Sequence, residues 1–214
     1  MIAKYSFNTQ YRPESQTQAH LPSLRLLEGG IFTPGQFAPA VVQEYGQYRL
    51  KFFKWGLEPA WEAAGTERSK LHIVSANQVS QDQEFQLPLR QHRCLIPADG
   101  YYLSNRNRQY KLSHREESAF CFAGIYASQM REDGCMEHHF SLISTGSIGT
   151  ASQFGLQMPL ILPRRLEGVW LDQQSSLPQI HNLLHTQSNL QLAAHPVEEL
   201  LELNPLDLYP QVAA

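Results

Sequence analysis

No apolar run in the 214 residues reaches the roughly 18 positions that a membrane-crossing helix needs. The first ten, MIAKYSFNTQ, lack the basic stretch and apolar core of a secretory leader. No membrane segment is expected, and the cytoplasm is the expected location. Positive charge is short as well: 17 Lys and Arg stand against 20 Asp and Glu, for a net charge of -3 and a pI near 6.3. That balance excludes an overall basic field drawing the chain onto a polyanion, so any nucleic-acid contact must be local. Cysteine is sparse and odd in number. Cys94 and Cys121 sit in the apolar runs RCLIP and AFCFAG, where a free thiol behaves as a small hydrophobe of a reducing compartment. Repeats, low-complexity tracts and linkers are also missing, which predicts one domain over residues 1–214.

What is present reads first as β-structure. A short strand is expected at AKYSF, a helix-like segment at residues 21–27, and an antiparallel pair at APAVVQEY and YRLKFFKWGL. Further strands are expected at LHIVSA, at RCLIPADGYYL with a turn at Asp99-Gly100, and at RNRQYKLSH, SAFCFAGIYAS and HHFSLISTG. The stretch NQVSQDQEFQ carries no periodic apolar pattern. After MPLILP, helical spacing marks RRLEGVWLD, SSLPQIHNLLHT and PVEELLEL, so helices are expected to gather late. The predicted class is α+β: a curved, barrel-like, mostly antiparallel sheet with flanking helices.

Four blocks stand in order along the chain: KWGLEPAW (residues 54–61), RCLIPADGYY (93–102), CFAGIY (121–126) and QMPLILP (157–163). In composition, order and spacing they resemble the SOS response-associated peptidase (SRAP) family, whose members capture abasic sites in single-stranded DNA. The resemblance spans essentially the whole chain and implies the same barrel-like fold. It also implies a site, and there this sequence departs from the family.

In the family an N-terminal Cys traps the ring-opened sugar aldehyde. The corresponding position here is Ile2, whose side chain has no lone pair with which to form an adduct. The family's Asn-Ala-Arg matches Ser75-Ala76-Asn77, replacing a sugar-orienting amide by a hydroxyl and a phosphate-binding guanidinium by a neutral amide. The Glu that follows Asp-Gly-Phe-Tyr matches Leu103, which transfers no proton. The His and Arg of His-x-Arg-Met-Pro match Gly155 and Gln157, so no imidazole titrates there. Ile2, Ser75, Leu103 and Gly155 together predict that the family's catalysis is lost and that no catalytic residue occupies those positions.

The candidate nucleic-acid-facing residues are Pro34, Trp61, Asn77, Thr145 and Gln157. By the resemblance, Pro34 and Trp61 match apolar positions that wedge or stack against nucleotides, and Thr145 matches a polar contact. For Pro34 and Trp61 plain core packing is an equal reading. The basic clusters Arg106, Arg108, Lys111 and Arg164, Arg165 serve solubility as readily as a local patch. The loop Thr145-Gly146-Ser147-Ile148-Gly149-Thr150 lacks the Lys of a phosphate loop and reads as flexible. His181 and His185, four apart on an expected helix, lack the intervening Glu of a zinc protease, and Cys135, His138 and His139 lie in a turn entering a strand. Both groups read as solvated histidines, and neither metal nor cofactor is expected.

These readings give a catalytically inactive SRAP-like protein that acts by binding or scaffolding. Its expected partners are single-stranded DNA, held weakly, or an unidentified protein, with no membrane. The alternative is an active enzyme, either on abasic DNA or as a hydrolase, using non-equivalent residues such as Ser75 or Cys94.

Overall fold

The structure is a computed structural model. It describes residues 4–8, 29–57, 70–105, 108–116, 118–131, 133–186 and 190–197. The strands form two sheets. β3 (Phe37–Glu44), β4 (Gln47–Trp55), β6 (Arg93–Ala98), β9 (Phe120–Met130) and β10 (Met136–Gly146) close on one another in the order β3-β4-β10-β9-β6, returning to β3. This is a five-stranded barrel, and every pairing in it is antiparallel except β4 with β10. The short strands β5 (Ile73–Ser75), β11 (Gln157–Pro159) and β12 (Ile161–Leu162) extend it at β10 and β9. The second sheet runs β13-β8-β7-β1-β2, from β1 (Lys4–Phe7), β2 (Gly30–Phe32), β7 (Gly100–Asn105), β8 (Arg108–His114) and β13 (Leu192–Pro196). The expected barrel-like, mostly antiparallel sheet with flanking helices is present as the closed barrel, with a second five-stranded sheet beside it.

Barrel strands β3, β6, β9 and β10 carry continuous buried runs because both faces are covered there, whereas β4 is buried only at Phe53 and Trp55. One cluster takes alternate residues of all five barrel strands, among them Ala40, Phe53, Ile96, Phe122 and Leu142, together with Tyr5, Tyr101, Leu103 and Leu112 of the second sheet. The other takes intervening residues such as Val41, Leu95, Ala123, Ile125 and Ile143, with the apolar faces of the helices. Those helices are α1 (Ala76–Gln81), α2 (Gln86–Gln91), α3 (Arg164–Leu171) and α4 (Leu177–Leu184).

The expectation that helices gather late holds for α3 and α4 and fails for α1 and α2. The low-hydrophobicity stretch is helical because Ser75 and Gln78 form a capping box. A four-residue cap carries no period, and Ala76, Val79 and Leu89 suffice to bury one side. The helix-like segment at 21–27 and most of PVEELLEL lie outside the described residues.

Two buried charges hold the architecture. Arg93, 5% exposed, donates to the carbonyls of Leu89, Arg90, Trp170 and Asp172, so one guanidinium satisfies the C-terminal ends of α2 and α3. Asp99 stands where the chain leaves the barrel for the second sheet. Its carboxylate accepts from the Ser6 hydroxyl, the Asn8 amide and, at 3.0 Å, Lys111 Nζ, tying β1, β7 and β8 together. Gly100 is required beside it, since a Cβ there would meet Lys111 Cε at 2.4 Å and the Leu112 carbonyl at 3.0 Å.

Candidate functional site

Ser75 ends β5 directly opposite Ser144 of β10. Its hydroxyl accepts the Gln78 amide at 3.2 Å and donates to Gln78 Oε1 at 2.9 Å, which makes it an N-cap with no acid or base attached. Asn77, two residues on, is exposed on the first turn of α1. Across β10, Gln157 of β11 is exposed and pairs with Gly146, with its Oε1 3.5 Å from the Ser144 hydroxyl. Ser75, Ser144 and Gln157 therefore gather along one edge.

Thr145 does not join them. Successive strand residues face opposite sides, and Thr145 pairs with Met158 while Ser144 pairs with Pro159. Pro34 occupies a tight turn between β2 and β3: the Gln36 amide donates to the Thr33 carbonyl at 3.1 Å, and Gly35 has φ +89°. Proline then glycine is the pair such a turn demands, so a backbone reason accounts for Pro34. Ile2 and Trp61 lie outside the described residues.

Leu103 is 3% exposed on β7, opposite Tyr110 of β8. It belongs to the cluster that holds Met158, with Tyr110, Phe154 and Ile73 packed at its margin. Tyr110 and Phe154 meet with ring centroids 4.8 Å apart, and Asn105 Nδ2 donates to the Gln153 carbonyl at 3.1 Å, fastening the end of β7 to the short 3-10 turn at Gly149–Gln153. Leu103 is thus held on all sides by packing within this cluster. Gly155 differs: it is exposed, and a Cβ built there would meet nothing within 4 Å. The stretch from Thr145 to Thr150, read as a flexible loop, is partly the end of β10 and partly the 3-10 turn.

Sequence reading missed Ser144, which lies inside a segment legible only as a strand. It also missed the pairing of His139 with Glu137. His139 is 3% exposed; its Nε2 lies 2.7 Å from Glu137 Oε1 and its Nδ1 3.1 Å from the Gly56 carbonyl. The pair braces the Trp55-Gly56-Leu57 turn, where the Gly56 amide also donates to the Phe140 carbonyl. Cys94 is fully buried, and burial pushes its thiol well above the usual range, so it is no nucleophile.

Comparison with known proteins places this arrangement. Two relatives from Bacillus subtilis (strain 168), abasic site processing proteins YoaM and YoqW, are each 25% identical over 174 residues; YoaM is matched over 78% of this chain and 77% of its own. A solved protein from Bacteroides thetaiotaomicron superposes with TM-score 0.67 at 24% identity, over 77% of this chain and 75% of that one. Another, from Bordetella bronchiseptica, superposes with TM-score 0.72 at 14% identity, over 92% and 99%. The family model of the SOS response associated peptidases (SRAP) matches residues 22–203, and the chain belongs to that family.

Proposed function

We propose that this chain is a SRAP-family protein without the family's covalent chemistry, working in the cytoplasm as a binding or scaffold protein that holds single-stranded DNA weakly. The observation that carries the reading is Leu103, 3% exposed in an apolar cluster at the position where the resemblance calls for a proton-transferring Glu. Ser75 supports it, because its hydroxyl is committed to capping α1. Gly155 leaves room for a side chain and supplies none. Ile2 offers no nucleophile in its side chain.

DNA enters the reading through the relatives, which are named for abasic site processing. On this chain the groups available to a strand at Asn77 and Gln157 are neutral amides, which form hydrogen bonds to phosphate without the charge that dominates affinity. Weak binding with little dependence on salt follows. The enzyme alternative finds little support at its named candidates: Cys94 is buried, and Ser75 hydrogen-bonds only the backbone and amide of Gln78 among the described residues.

The test is incubation of the purified protein with single-stranded DNA carrying an abasic site, with and without borohydride, followed by a denaturing gel. No denaturant-stable adduct is expected in either lane. An adduct without reductant would overturn the inactive reading. One that appears only with borohydride would place a Schiff base on an amine and overturn it as well.

A further inference from the structure

A pocket of about 320 Å³ opens between the turn after β8, the 3-10 turn at Gly149–Gln153, β12 and the start of β13. Apolar side chains form part of its lining: Ile148, Met158, Ile161 and Leu192. The last three are residues of the barrel cluster, 5%, 2% and 7% exposed. Beside them Arg115 and Gln191 supply polar groups. The Arg115 amide donates to the Gln191 carbonyl at 3.1 Å, which joins the two segments, while its guanidinium has no hydrogen-bond or ion-pair partner among the described residues. The Thr150 hydroxyl is spent on the Leu192 carbonyl at 2.9 Å. Arg115 is therefore the one uncommitted cation on this rim among the described residues.

The hollow of about 600 Å³ near Lys54 and Arg131 is different in kind. Its cations already face carboxylates, Lys54 at 3.6 Å from Glu137 and Arg131 at 3.4 Å from Asp133. No free charge there selects a ligand.

We propose that the Arg115 pocket binds a small amphiphile, an unbranched apolar chain of about eight carbons ending in a carboxylate. The size follows from volume: at ~30 Å³ for each water-sized group, about ten non-hydrogen atoms fill the space, and octanoate has that number. The apolar part of the lining takes the chain, as ligand pockets of this size commonly do. The guanidinium takes the carboxylate through two parallel N–H donors, a geometry that an alcohol cannot match. Met158 follows Gln157 on β11 and faces the other side of the strand, so the pocket backs onto the Ser75 and Gln157 edge.

The chain's own methionines report on it. With ¹³C-methyl-labelled Met, Met158 lines the pocket, whereas Met130 and Met136, 72% and 51% exposed, flank the β9–β10 turn. Titration with octanoate is expected to move the Met158 methyl saturably and leave Met130 and Met136 in place. Octanol is expected to bind about tenfold more weakly, and Arg115→Gln to lower octanoate affinity by about tenfold without changing octanol. Ile148→Trp, which narrows the pocket, should weaken both. Equal binding of octanol and octanoate, untouched by Arg115→Gln, would overturn the assignment. So would movement of all three methyls together, which signals detergent-like adsorption, or no saturable shift into the millimolar range. Octyl phosphate binding more tightly than octanoate would overturn the carboxylate.

Discussion

Leu103 and Tyr110 face each other across β7 and β8, Leu103 3% exposed and the Tyr110 ring packed on Phe154 at 4.8 Å. An apolar pair thus closes the region where the family resemblance expects a carboxylate. Leu103→Glu is expected to fold poorly, since burying a carboxylate without a partner costs about 3 kcal/mol or more. The sign of its pH dependence is fixed. Desolvation raises the folded-state pKa of such a Glu above the unfolded value near 4.3. The deficit is therefore largest at neutral pH and shrinks as pH falls toward 4.3. Urea midpoints of parent and variant at pH 7 and pH 5 measure it. A variant as stable as the parent at pH 7 would show the region to be open to water.

Ser75 is a cap, and substitution separates that role from a chemical one. Ser75→Ala removes the acceptor for the Gln78 amide and is expected to cost about 1 kcal/mol, whereas Ser75→Asn retains an N-cap and should cost a few tenths. At this chain length 1 kcal/mol lowers the melting temperature by about 2–4 °C. Equal destabilisation by Ala and Asn would rule out the cap.

Arg93 carries a larger share of the fold. Arg93→Met leaves the carbonyls of Leu89, Arg90, Trp170 and Asp172 without their donor, and a loss of about 3 kcal/mol or more is expected from denaturant unfolding. Arg93→Lys keeps the charge but cannot span four acceptors with one ammonium, so it should recover only part of the loss. Full recovery by Lys would mean that charge alone, and not the planar fork, holds the two helix ends.

Acid weakens the fold through its histidines as well as its carboxylates. Burial holds His92 and His138 below the ordinary imidazole value, with Lys51 adding to the effect at His138; Ser128 bonds the His138 ring, and the Tyr126 ring lies tilted against His92 and edge-on to His138. For a base whose pKa is lowered on folding, the unfolded chain binds more protons between the two values. This contribution is therefore complete above about pH 6.5 and is lost as pH falls from there through the lowered folded-state values. His92→Asn with His138→Asn should flatten the decline of the urea midpoint between pH 7.5 and 5.5. Parallel slopes in parent and double variant would assign the decline to other groups.

Legibility from sequence followed the range of the interactions. Strands β3, β4, β8, β9 and β10 announced themselves as runs of branched and aromatic residues bounded by turns, because each is buried on at least one face. α1 and α2 did not, since a capping box and three buried side chains leave no period to read. The closure of the barrel was hidden too: it rests on the parallel pairing of β4 with β10, between segments some eighty residues apart in sequence. At the site, Leu103 was singled out by the resemblance, and its burial came only from the structure. Ser144 and the His139 to Glu137 contact needed the register, and the separation of Thr145 from Gln157 is visible only once β10 and β11 are paired.

The neutral amides at Asn77 and Gln157 set the last prediction. Both are exposed, one on α1 and one on β11, at the positions where the resemblance calls for arginine. Asn77→Arg with Gln157→Arg restores two guanidiniums without disturbing the core, and thermal stability should stay within about 0.5 kcal/mol of the parent. Each phosphate contact on a single strand contributes about -0.7 to the slope of log affinity against log salt. The double variant is therefore expected to bind a labelled oligonucleotide more tightly at low salt, with a slope steeper by about 1.4, and still to form no covalent adduct on abasic DNA. Anisotropy titrations at three salt concentrations decide it. An unchanged slope would mean that this edge does not meet the backbone of the strand, and the proposed DNA-facing surface would have to be abandoned.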